Sequence, residues 1–255
     1  MNARINAGKN AGKNDNTDDS PCGVNSVPPT TPHTRLQQHL RLQTWMSSAF
    51  PIGAYSYSHG LEAAIQDGRV NDAHSCQAWI TTIIRYGSGW NDSILAHQAY
   101  LHANCPSTLQ ELNELSLALQ PGAERFLETT QLAASFLTAA NAWPAQQPID
   151  WQSLGPDLAL PIVAGALGAQ QGFSAPLLVA SLLQAMASNL VWVATRLIPL
   201  GQQSTLQTIA QLEPLVASVS DKALTATLDD LGSCAVLADI ASLQHETLNG
   251  RVCQS

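Results

Sequence analysis

From Leu36 onward the chain repeats one pattern: apolar side chains return every three or four residues, and no run alternates them strictly with polar ones. That spacing lines them along one face of an α-helix, which completes a turn in 3.6 residues. Alanine and leucine dominate and β-branched runs are scarce, which favours helix over sheet. Such a chain must bury its apolar stripes by stacking helix on helix. Helices are expected over residues 36–48, 58–66, 72–87, 90–103, 107–120, 126–142, 157–170, 174–198, 205–220 and 232–248. With no internal repeat, the expected fold is all-α, a single-domain bundle of about eight to ten helices.

The punctuation between helices is read from breakers and caps. Ser58 or Ser56 can cap the helix that follows, with Glu62 placed to reach back, and Ser107 can cap another. Residues 143–156 hold Pro144, Pro148, Pro156 and Gly155 and are read as an ordered loop. The small residues Ala164, Gly165 and Gly168 would let a second helix approach closely. Residues 177–198 are apolar enough to suggest a membrane span, but they carry Gln184, Ser188, Asn189 and Arg196 without a basic flank. A buried central helix is expected there. Residues 1–34, rich in Asn, Gly, Lys, Asp, Thr and Pro, cannot bury enough surface to offset their ordering entropy. They are read as a disordered N-terminal tail ahead of a helical domain at 35–255.

Composition excludes several classes. Charged residues make up 12% of the 255, against an ordinary share of roughly 25%, so part of the surface is expected to lie against partners. A net charge of −8 and a pI near 5.2 argue against nucleic acid and against an anionic membrane surface. The cysteines Cys22, Cys76, Cys105, Cys234 and Cys253 form no C-x-x-C pair, so no zinc ribbon or thioredoxin-type site is supported. The N-terminus has no apolar signal-peptide core, and reduced thiols in the cytoplasm are the simplest expectation.

One stretch departs from plain helix-forming sequence. In residues 47–62, Pro51 and Gly53 break the helix, and Tyr55, Ser56, Tyr57, Ser58, His59 and Glu62 then crowd together. His59 and Glu62 could share a helix face as a metal pair or an acid/base pair, yet no neighbouring sequence supplies a third ligand. No Gly-x-Ser-x-Gly elbow is present, and the Gly-Lys pairs at Gly8 and Gly12 follow no strand. From the residues alone, capping and internal hydrogen bonding compete with a functional reading.

The segment Ser47-x-x-Phe50-Pro51-x-Gly53-x-Tyr55-Ser56-Tyr57-Ser58-His59-Gly60-Leu61-Glu62 closely resembles the signature of the UreF family of urease accessory proteins. Three later stretches agree in order: Arg196-Leu197-Ile198-Pro199-Leu200-Gly201-Gln202 after the long helix, Ala238 through Glu246 in the terminal helix, and Arg251 with Ser255 in the tail. Tails in that family typically read Arg-Leu-Phe, one further residue and serine; here Val252-Cys253-Gln254 follows Arg251. Loss of the aromatic anchor would reduce buried apolar area and weaken tail docking.

The resemblance implies an all-helical, homodimeric, non-catalytic maturation factor. It would join a UreD-like protein (also called UreH) to the GTPase UreG, modulate GTP hydrolysis and assist delivery of nickel to the urease apoprotein, with no tightly bound cofactor of its own. Carried over motif by motif, Tyr55, Ser58, His59 and Glu62 form one partner-binding patch, with Pro51 and Gly53 shaping its loop. Arg196, Gly201 and Gln202 form a second patch. His245, Glu246 and Arg251 form a third, expected to order on binding the UreD-like partner. The alternative is a metal-dependent hydrolase in which His59, Glu62, His97 and His245 converge on one pocket.

Overall fold

The computed structural model describes residues 31–145 and 147–255. Among these residues every regular element is helical: α1 (Pro32–Trp45), α2 (Leu61–Gln66), α3 (Ala73–Tyr86), α4 (Ser88–Leu101), α5 (Pro106–Ala118), α6 (Ala123–Ala140), α7 (Leu160–Gln170), α8 (Ala175–Leu197), α9 (Gln202–Ala223) and α10 (Val236–His245), with 3₁₀ turns at Ala54–Ser56, Trp151–Leu154 and Leu228–Asp230. The all-α expectation holds. Helix ends follow local chemistry, and several differ from the sequence reading. The Thr31 hydroxyl accepts from the Thr34 amide, so α1 starts at Pro32, inside the stretch assigned to a disordered tail. The remainder of that tail, residues 1–30, lies outside the described residues. At α5, Cys105 rather than Ser107 is the N-cap, with Pro106 in the first turn. Helix α7 begins at Leu160, which places Pro161 where its missing amide is no loss.

Two apolar cores hold the helices together. In one, Trp45 stands edge-on to Phe136 and Phe173 with ring centroids 5.2 and 5.1 Å apart, a favoured aromatic geometry. There residues of α1 and of α4 to α7 share one cluster, with α7 packed against α4, α5 and α6. In the other, α8 packs against α2, α3 and α9 through Leu183, Leu190, Val191 and Val193. By length and hydropathy α8 could cross a bilayer, but these buried residues make it the central helix of this core, as the sequence reading expected. The close approach foreseen at the small residues is present. A Cβ on Gly165 would lie 2.2 Å from the Ala96 carbonyl oxygen of α4, and one on Gly168 would meet Leu178.

Helix α10 crosses α2 at equally short range. A Cβ on Gly60 would fall 2.4 Å from the Ser242 amide nitrogen, so only glycine admits α10 here. That contact brings the late part of the chain onto the stretch at 47–62.

Candidate functional site

The loop before α2 is turned by left-handed residues. Gly53 (φ 76°) opens the 3₁₀ turn, and Gly60 (φ 74°) stands at the N-cap of α2. Between them His59 takes φ 53°, the one positive value at a non-glycine residue among those described. Such a residue is strained and persists only where its surroundings hold it. The expected serine cap is therefore replaced. Gly60 occupies the N-cap position without a side-chain cap, although the Glu62 amide still donates to Ser58 Oγ at 3.3 Å.

Glu62 does not reach back to that cap. Its carboxylate accepts the Val252 and Cys253 amides at 2.8 and 2.7 Å, and Oε2 lies 3.3 Å from His245 Nε2. Burial alone would raise this carboxyl, but the two amides and His245 outweigh it and hold it below its ordinary value. The tail then runs beside the loop. The Gln254 amide donates to the Ser56 carbonyl and the Ser58 amide to the Ser255 main-chain oxygen, each at 2.7 Å, and Ser58 Oγ donates to that same oxygen. Cys253 is buried at the position of the expected aromatic anchor, while Val252 is exposed. Polar contacts thus hold a tail whose loss of aromatic area was expected to weaken it.

Helix α6 supplies the residues that sequence reasoning missed. Glu128 Oε1 pairs with His59 Nε2 at 2.7 Å, while Oε2 takes Arg125 and, at 2.6 Å, the Ser255 hydroxyl. Burial would raise the Glu128 carboxyl, yet Arg125, His59 and Ser255 prevail and hold it at about 2. His59 is pushed the other way: burial and Arg125 lower its pKa against the pull of Glu128, which favours the neutral ring. With Glu128 ionised, Nε2 carries the hydrogen it donates, and Nδ1 is left as a buried lone pair without a partner. At the start of α6, Glu124 binds His245 Nδ1 at 2.7 Å and also pairs with Arg251. Glu246 reaches across to accept the Ala123 amide at 2.8 Å, capping α6 from α10.

The first and third predicted patches are therefore one site. Ser58, His59 and Glu62 meet His245, Glu246 and Arg251 through α6. Of the second patch, Arg196 joins by donating to the Tyr55 carbonyl, beside Asn189, whose amide donates to the Ala54 carbonyl at 2.9 Å. The Tyr55 ring is exposed, and Pro51 lies on the exposed side of the loop. Gly201 is the N-cap of α9 and Gln202 its first residue, both exposed.

The convergence required of a hydrolase is not built. Glu62 meets His245, but His59 faces Glu128 instead, and His97 stands apart, beside the Ala223 backbone. Among the described residues no three His, Cys, Asp or Glu side chains are grouped to hold a metal ion. One signal for α6 was present in the sequence. Arg125, Glu128, Leu132 and Phe136 follow helical spacing, so the two charges lie on the buried face.

Comparison with known proteins gives a consistent result. A family model described as UreF matches residues 70–213. The urease accessory protein UreF of Mesorhizobium japonicum is 41% identical over 216 residues, covering 85% of this chain and 96% of that protein. UreF 1 of Brucella canis is 38% identical over 216 residues, covering 85% and 93%. UreF of Rhizobium leguminosarum bv. trifolii is 42% identical over 220 residues, covering 86% and 97%.

Proposed function

The chain belongs to the UreF family of urease accessory proteins, and from that premise we propose that it is a non-catalytic scaffold of urease maturation. As a homodimer in the cytoplasm it joins a UreD-like protein to the GTPase UreG, modulates GTP hydrolysis and assists passage of nickel, as cargo, into the urease apoprotein.

The observation that carries this reading is the two-sided character of α10. Its inner side, with Ala238, Ala241, Ser242 and His245, is buried against the loop and α6. Its outer side presents Val236, Leu237, Ile240 and Leu243, all exposed and unusually apolar for a water-facing helix. The clamped tail fixes this helix in place, so the outer side offers a preformed surface for the UreD-like partner. The second hypothesis, hydrolysis, has no comparable observation in its favour.

Co-purification with a UreD-like protein, followed by addition of the GTPase, tests the proposal. A ternary complex is expected for the native chain. Leu237→Asp, at an exposed position, should abolish the first step while leaving helical content unchanged. Arg251→Ala, which frees Glu124 from the tail, should weaken it. Full affinity in both variants would overturn the assignment of α10 as the partner face.

A further inference from the structure

Beneath α10 lies a small polar cavity of about 60 Å³, large enough for a few water molecules. His59, Asn91, Asp92, Arg125, Asp239 and Ser242 are among the residues that line it. Among the elements that meet there, α4 brings Asp92, α6 brings Arg125 with Glu128 behind it, and α10 closes the wall with Asp239 and Ser242. The partnerless Nδ1 belongs to His59 of the same lining, a buried acceptor that calls for a donor. Asp239 is tied to Ser233, 2.9 Å away, so its carboxylate remains on the α10 side of the cavity.

We propose that this cavity is a proton-operated catch for α10, in which protonated Asp92 keeps the helix closed and ionised Asp92 loosens it. The protonated carboxyl is a donor for the polar lining, either to His59 Nδ1 or to a water between them. The ionised form donates nothing and places a second negative charge near Glu128 and opposite Asp239, with Arg125 the one full positive charge in the lining. Burial pushes the Asp92 carboxyl up to about 7; Arg125 opposes the shift and Glu128 adds to it. The sign of the pH effect follows. Opening α10 returns Asp92 to water and to an ordinary carboxylate value. The closed state therefore loses stability as pH rises from the ordinary value towards about 7, and the loss levels off above that. The catch does not depend on what docks on the outer side of α10.

The test is amide hydrogen exchange on full-length native chain and Asp92→Asn, compared at the same pH so that intrinsic exchange cancels. Opening of α10, native over variant, should increase on the order of tenfold per pH unit between about pH 5 and about pH 7, then level off. Amides of α5, remote from the cavity, should show no such trend. A ratio that stays constant over this range overturns the proposal. Should Asp92→Asn fail to fold, Asp239→Asn decides: it must slow α10 opening above about pH 7 and leave it unchanged near pH 5. Equal opening at both pH values would reject the catch even if partner binding to α10 were established, and loss of partner binding would leave the catch standing.

Discussion

At Glu128 three partners meet one carboxylate: His59, Arg125 and Ser255, from a strained loop, from its own helix and from the tail. A buried charge so engaged is costly to leave half-matched. Glu128→Gln keeps the shape but deprives Arg125 of its counter-charge, and should cost about 3–5 kcal/mol in urea denaturation at neutral pH. The pH dependence has a definite sign. Glu128 and Glu62 are both held below the ordinary carboxylate value. Each therefore stabilises the fold above that ordinary value, and the contribution is lost as pH falls below it, for Glu128 towards about 2. The native stability profile should decline over that acid window, and Glu128→Gln should flatten the decline. An unchanged acid limb in the variant would mean that Glu128 is not the group being protonated.

Among the elements, α4 and α7 make the tightest contact outside the site, because Gly165 lets the Ala96 backbone approach. A methyl group there meets a carbonyl oxygen that no rotamer change can move, so Gly165→Ala should destabilise by about 1–3 kcal/mol, read as a lowered Tm. Gly232→Ala, where a Cβ would meet nothing, is the control. This contact was legible beforehand, since Ala164, Gly165 and Gly168 interrupt an otherwise bulky run. Helix α8 was legible too, from Ser174 with Pro176 at one end and Pro199 at the other. Helix α6 was legible only in part. Its expected start at Phe126 left Glu124 and Arg125 outside the helix, although both lie in its first turn. The partners of Glu62 could not be foreseen at all. Its contacts with Val252 and Cys253 span 190 and 191 positions, and no local spacing rule reaches that far.

For the molecule as a whole, the tail acts as a clasp between α2, α6 and α10. Removing residues 251–255 would take two amide donors from Glu62, the Ser255 hydroxyl from Glu128 and Arg251 from Glu124, and expose the surface around Cys253. Loss of one such partner costs about 1–3 kcal/mol, so the truncated chain should unfold at clearly lower urea than the native one. Equal midpoints would show that the clasp adds nothing to global stability. The same feature has a consequence in time. Ser58 and Ser255 are 197 positions apart, and their contact cannot form until the last of those residues has been synthesised. At roughly 5–20 residues per second, translation leaves a newborn chain with its loop unfastened for some tens of seconds. A ribosome-bound fragment lacking the tail cannot assemble the completed surface, so a partner that requires this surface would engage the chain only after Ser255 has been synthesised.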